Sequence, residues 1–396
     1  MNIWVTGIGV VSSIGMNVGQ SLDAFRSGKR GVGEIRILDT VHKATFKAGE
    51  IPLDNRQLME ILGLPWPQFR YYTRTSLIGM IAAREAVAMA GLGEHEAAET
   101  ALVSATTVGG MDKTENDFEA SDFKSGFIAT HPCGDSTEKI ADFLGLSGYR
   151  TTLSTACSSG ANAIIHAARL IRQGYAERVV AGGVDALSRF TLNGFNSLMI
   201  LDKDFCRPFD RSRAGLNLGE GAGYLVLESE SLAGRLGAEQ LCRLSGYANT
   251  NDAYHQTASS PGGEAACEAM ARALEMSGIG PGDIGYINVH GTGTENNDAA
   301  EGAAMLRLFG KNPPPFSSTK PFTGHTLGAA AGLEAVFSVM ALREGLIFPS
   351  LGFSEPIEEL GLVPETVFRE GEQIRHVLSN SFGFGGNNSS LIFSKS

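Results

Sequence analysis

The sequence predicts a layered α/β protein built from two similar halves. Three observations carry this reading. Short β-type runs alternate with Ala-rich segments of helical patterning, as in strands interleaved with covering helices. The stretches AAREAVAMAGLG (82–93) and AMARALEMSGIG (269–280) align without a gap, and each leads into a β-type run. Fifty glycines against 19% charged residues suit tight turns and close backbone approaches more than a solvated helical array.

In chain order, the first β-type run is Ile3–Thr6, followed by a Gly/Ser turn. A helix over Ser76–Ala90 precedes the run Ala101–Ala105, and TTLSTA leads through a turn into a helix over Gly160–Gln173. Runs Arg178–Ala181 and Tyr224–Glu228 complete the first half. The polar stretch ESESLAGRLGAEQ then interrupts the strand pattern, which divides the chain into 1–238 and 239–396. The second half offers a helix over Ala265–Ser277, the run Tyr286–Val289, a helix over Gly332–Glu344 and the run Val377–Asn380. A second echo links the halves. Cys157 precedes a helix that ends at Gly174, and His325 precedes one that ends at Gly345, which places a thiol and an imidazole at corresponding helix N-termini. No low-complexity linker separates the halves, so they are expected to pack together.

Composition narrows the function classes. With 43% hydrophobic residues, 396 residues can bury a large core, and a net charge of −11 weighs against nucleic-acid or anionic-membrane surfaces. Five cysteines form no C-x-x-C pair, so neither a disulfide framework nor a zinc site is indicated. No apolar run approaches the roughly 20 residues of a membrane span, and the N-terminal stretch lacks a basic leader pattern. The expectation is a cytoplasmic protein.

One chemical constellation stands out. Cys157 in STACSSGANAI (154–164) sits between tiny residues at a strand-to-helix turn, where a helix dipole would favour thiolate and backbone N–H groups would point at a bound carbonyl. A lone cysteine is more often a small buried residue, so partners must decide. His290 in NVHGTGTENND and His325 in STKPFTGHTLGAAAG, beside Lys320, lack metal-ligand spacing and suit acid/base or hydrogen-bond donor work. NSFGFGGNN (380–388) would bring backbone amides close to a ligand but lacks a P-loop ending. No G-x-S-x-G is present for a serine hydrolase of the usual kind.

Together with RPFDRSRAGLNLGEGAGYLVLE (207–228), these blocks occur in the order found in β-ketoacyl-acyl carrier protein synthases. The chain resembles the synthase I/II class of the thiolase superfamily along nearly its whole length. That resemblance implies a thiolase-like fold with a layered αβαβα core. It implies that Cys157 takes an acyl chain from acyl carrier protein, with the N–H groups of Cys157 and Phe384 as oxyanion hole. His290 and His325 would donate hydrogen bonds as malonyl carrier protein decarboxylates, and Lys320 and Glu334 would form a supporting charge pair. Asp298 and Glu301 match acidic family positions, and either orient neighbouring groups or supply ordinary helix N-terminal charge. Thr292 and Thr294, with Thr257 nearby, match positions that hold the phosphopantetheine arm. Phe384 resembles a gate, with Gly383, Gly385 and Gly386 giving its loop freedom. Val108 matches an acyl-pocket position, and Phe127 one that reaches in from a neighbouring subunit.

No metal or redox cofactor is implied, since phosphopantetheine arrives on the carrier protein. Docking an acidic carrier calls for a local basic patch, for which Arg70, Arg74, Lys203, Arg207, Arg211 and Arg213 are candidates. The implied assembly is a homodimer, with a heterodimer as the alternative. A non-catalytic chain-length-factor-like partner would be expected to lack Cys157. A degradative thiolase would carry a second cysteine in the last glycine motif, and the synthase III class an asparagine in place of His325. Two stretches depart from the family pattern: the short loop between Leu201 and Arg207, and residues 111–142.

Overall fold

The computed structural model describes residues 2–119 and 129–395. Its twelve strands are β1 (Ile3–Ser12), β2 (Val32–Glu34), β3 (Lys47–Gly49), β4 (Ala101–Ala105), β5 (Arg150–Leu153), β6 (Arg178–Asp185), β7 (Gly221–Ser229), β8 (Cys242–Asn251), β9 (Tyr286–Asn288), β10 (Phe316–Ser317), β11 (His376–Gly383) and β12 (Asn387–Ser394). Apart from the β2–β3 ribbon, they form one sheet ordered β10-β9-β11-β12-β8-β1-β7-β6-β4-β5. Outward from the β1–β8 junction the two sides repeat one another, as β1-β7-β6-β4-β5 and β8-β12-β11-β9-β10. Pairing directions repeat as well: β4 is parallel to β5 and β6, and β9 is parallel to β10 and β11. The two sides touch through two residue pairs, Trp4↔Arg243 and Val5↔Cys242.

Five layers follow from where each strand buries its two faces. Val179 and Ala181 of β6 face a central core with the helices Ser159–Arg172 and Ala330–Glu344, whereas Val180 faces the outer Arg74–Met89 helix. In the second half, Ile287, Leu378 and Ile392 pack on the outer Glu264–Ser277 helix. Strands covered on both sides need continuous apolar runs, and VVAGGV in β6 is one. The Ala330–Glu344 helix is buried without a break from Ala330 to Leu342, so it shows no polar face.

The two echoes in the sequence have structural counterparts, with one correction. The Arg74–Met89 and Glu264–Ser277 helices carry the ungapped repeat and lead to the equivalent strands β4 and β9. The inner helices match in a different register from the one expected. Ala156 (φ 52°) and Leu327 (φ 54°), both left-handed, lie the same number of residues before the left-handed Gly174 and Gly345. Cys157 therefore corresponds to Gly328, not to His325, which stands three residues earlier. The polar segment at the division also differs from expectation. It holds a helix at Glu230–Leu236, and β8 begins at Cys242, because alternating burial along Cys242–Gly246 outweighs its modest apolar content. Among the described residues no helix is long and apolar enough to cross a membrane.

The inner helices approach the sheet through glycine. A Cβ on Gly332 would lie 2.5 Å from the Gly223 carbonyl oxygen, and one on Gly160 would lie 2.7 Å from the Gly332 nitrogen. Gly332→Ala is expected to destabilise the fold by about 1–3 kcal/mol, through overpacking at a backbone that cannot yield. Urea denaturation of the variant against the parent checks this.

Candidate active site

The inner ends of the two halves converge on a cavity of about 400 Å³ lined by Cys157, His290, His325, Thr257, Thr292, Thr294 and Phe384, among others. Cys157 stands just after the left-handed Ala156 and just before the Ser159–Arg172 helix, a sharp strand-to-helix turn that presents its thiol. Backbone at such angles costs about 1–3 kcal/mol and persists where its surroundings impose it. The imposing neighbour is Gly383, whose Cβ, if present, would come within 3.1 Å of both the Cys157 nitrogen and the Thr155 oxygen. The Phe384 N–H that follows points at the Cys157 sulfur.

A buried ammonium organises the imidazoles. Lys320 Nζ donates to Glu334 Oε1 at 2.5 Å and to the His290 carbonyl at 2.5 Å, and it stands 3.4 Å from His290 Nδ1. Nδ1 faces a group that carries only donors, so it is the acceptor nitrogen and the proton resides on Nε2. His325 reaches the same tautomer by another route, because the Leu327 N–H donates to its Nδ1 at 3.1 Å. The left-handed Leu327 turns that N–H back toward the ring. The two rings lie 5.4 Å apart, nearly perpendicular. Burial, with the Lys320 charge second, holds both histidines well below their ordinary range, so both are neutral at pH 7.

Carboxylates fix the backbone of the His290 turn. Glu301 accepts from the N–H groups of His290 (2.9 Å) and Gly291 (2.8 Å). Asp298 accepts from those of Thr292 (3.0 Å), Gly293 (3.2 Å) and Phe209 (2.8 Å). Both carboxylates thus hold neighbouring backbone N–H groups, and Asp298 also stands in the first turn of the Glu295–Phe309 helix. Burial pushes Glu301 and Glu334 up to about 7, against their hydrogen-bonding partners. Thr292 and Thr294 share a hydroxyl hydrogen bond of 2.9 Å at the cavity mouth, and the Thr257 N–H donates to His255 Nδ1 at 3.1 Å.

Several expectations change on the structure. Burial pushes the Cys157 thiol up to about 12, against Lys320 and the Phe384 N–H, where a helix N-terminus was expected to favour thiolate. Phe384 lines the same cavity and stacks on Phe195 at 5.8 Å. Arg74 is no surface cation. It is buried in a two-pronged pair with Glu220 (2.8 and 2.6 Å), so it cannot meet a docking partner. Val108 lies at the turn whose N–H groups face Asp185 and does not line the cavity at Cys157, and no bound chain tests its acyl-pocket role. Phe127 lies outside the described residues. Arg211 pairs with Glu355, Arg207 with Asp202, and Arg213 with the Thr294 and Glu295 carbonyls. Arg70 and Lys203 remain exposed.

The structure adds residues that sequence reasoning missed. Phe195 stacks on Phe384 yet belongs to no recognisable motif. Asp185, at the end of β6, accepts from Thr106, Thr107 and the Gly328 N–H, and so ties the two halves together beneath the cavity. Its signal was the acidic residue that ends an apolar strand.

The chain matches known proteins along its length. Residues 1–233 match the beta-ketoacyl synthase N-terminal domain and residues 241–354 its C-terminal domain. The chain belongs to the β-ketoacyl synthase family. It is 33% identical to 3-oxoacyl-[acyl-carrier-protein] synthase 2 of Staphylococcus aureus strain MRSA252, over all of this chain and 98% of that protein. It is 34% identical to the synthase 2 of Vibrio cholerae serotype O1, over 99% and 98%. Among solved structures, the ishigamide ketosynthase/chain length factor superposes with a TM-score of 0.92 at 31% identity, covering 100% and 99% of the two chains. The fold is accordingly thiolase-like, and the protein is an acyltransferase of this family.

Two predictions follow from the buried groups. Phe384→Ala should speed alkylation of Cys157 by iodoacetamide roughly tenfold, read by mass spectrometry, because opening the cover restores access and thiolate character. Histidines neutral in the fold are protonated near pH 6.5 when unfolded, so their contribution is present above that pH and lost as pH falls below it. Urea midpoints should therefore drop between pH 7.5 and 5.5, and drop less in His325→Asn, whose amide oxygen can still accept from Leu327.

Proposed function

We propose that this protein is a 3-oxoacyl-[acyl-carrier-protein] synthase that lengthens an acyl chain by two carbons through decarboxylative condensation. The observation that carries the proposal is the pair of neutral imidazoles, both protonated on Nε2 and both lining one cavity with a single cysteine. Two N–H donors aimed at one site stabilise oxygen charge as it develops, which suits a carbonyl becoming an enolate.

In this reading the Cys157 sulfur adds to the thioester carbonyl of an acyl chain on the carrier's phosphopantetheine. The Cys157 and Phe384 N–H groups stabilise the oxyanion. The pantetheine sulfur leaves and takes up the proton that the cysteine gave, so charge balances. Malonyl carrier protein then binds, with Thr292, Thr294 and Thr257 along its pantetheine arm. Its C–C bond breaks to release carbon dioxide, and the electron pair becomes an enolate whose oxygen accepts from His290 and His325. The enolate carbon attacks the acyl-Cys157 carbonyl, and the cysteine sulfur departs as thiolate and takes up one proton from solvent, which balances the carboxylate charge lost with carbon dioxide. Lys320 and Glu334 act as positioning residues behind His290. Phe384 must move for the chain to enter.

The protein partners with acyl carrier protein, for which Arg70 and Lys203 supply exposed positive charge, and it works as a dimer in the cytoplasm. The two halves, 1–238 and 239–396, contribute the cysteine and the histidines respectively. A relative from Xenorhabdus doucetiae, solved as a ketosynthase in complex with its chain length factor, at 30% identity and a TM-score of 0.85, supports the heterodimer as the alternative to a homodimer.

Intact-protein mass spectrometry after incubation with acyl carrier proteins of graded chain length tests this. A mass gain lost in Cys157→Ala is expected, and no gain from the folded parent with any chain would sink the assignment. Cys157→Ala should still decarboxylate malonyl carrier protein. His290→Ala or His325→Ala should decarboxylate about 10²–10³-fold more slowly, the usual cost of one oxyanion donor.

A further inference from the structure

At the other end of the sheet, two adjoining cavities of about 550 and 230 Å³ share Arg243 and His376 in their walls. The first also holds Arg375 and Lys395, and the second Arg172 and Ser394. Four cations thus meet in a chain whose net charge is −11. Among the described residues none of the four forms an ion pair. The carboxylates that act on this region, Glu230 and Asp283, are engaged by Asn2 and by the Gly280 N–H. Arg243 is poorly satisfied, with contacts of 3.5 Å to Asn2 Oδ1 and 3.3 Å to the Lys395 carbonyl, while its buried Nε has no partner.

The internal repeat shows what this position looks like when it is neutral. In the first half, Arg178 opens β6 opposite Glu228 of β7, and the two form a buried ion pair at 2.6 Å. In the second half, His376 opens β11 opposite Ser394 of β12, and a 2.7 Å hydrogen bond joins them. The repeat therefore has a serine where the other half has a carboxylate. A hydrogen-bonded histidine–serine pair thus stands where the other half has an ion pair, so this position offers the nearby cations no carboxylate.

We infer that these joined cavities form an anion site for a small phosphate-bearing ligand of the diphosphate class, separate from the condensing site. The argument rests on shape and charge. Arginine forks bind phosphate oxygens with paired N–H donors, and two cavities flanking Arg243 offer room for two linked phosphate groups. The site lies at the start of β11, whereas Phe384 follows its end, roughly 25 Å away along an eight-residue strand.

Isothermal titration calorimetry with inorganic pyrophosphate at low ionic strength tests the inference on the full chain. Saturable binding is expected for the parent. Ser394→Glu, which restores the carboxylate of the other half, and the double variant Arg243→Ala/Arg375→Ala should each weaken it about tenfold or more. Should Ser394→Glu fail to fold by circular dichroism, the double variant decides, since Arg375 is exposed. The absence of saturable heat with the parent, or equal affinity in the folded variants, would overturn the assignment.

Discussion

The buried Lys320 ammonium is the contact on which the site depends. It binds a carboxylate on one inner helix and the carbonyl of His290 at a strand end, and it stands against the ring of that same histidine. One cation thereby fixes the position of His290, selects its tautomer and keeps it neutral. A charge so deep is tolerable because Glu334 and a carbonyl surround it. Two neutral donors side by side are possible for the same reason, since a protonated imidazole beside Lys320 would add like charge in a dry site.

The architecture is nearly two-fold, but the chemistry is not. Both halves build the same sharp turn before an inner helix, at Ala156 and at Leu327. In the first the turn presents a thiol. In the second the equivalent position is Gly328, whose N–H is spent on Asp185, and Leu327 spends its own on orienting His325. The two helix starts are thus put to different use, one presenting a thiol and the other orienting an imidazole. At the opposite end of the sheet the ion pair of one half, Arg178–Glu228, has the hydrogen-bonded pair His376–Ser394 as its counterpart.

Burial of Cys157 sets the resting state. Phe384 stacks on Phe195 beside it, and burial pushes the thiol up to about 12. Gly383 lets the Phe384 loop lie against the Cys157 backbone without steric cost, and the left-handed Gly385 and Gly386 turn the chain beyond it.

Cys157, His290, His325, Lys320 and the glycine-rich loop were legible in the chain because each sits in a short motif whose chemistry is local. The alternation of strands and helices, and the duplication, were legible because side-chain periodicity and ungapped repetition are properties of sequence. The fate of the charges was not. Arg74 reads like any surface arginine until Glu220, far along the chain, is found against it, and Phe195 carries no signal until it meets Phe384. The protonation of Cys157 likewise follows from burial, which long-range packing imposes. Local pattern names the candidate groups, whereas desolvation and pairing, which set their charge, arise when distant segments meet.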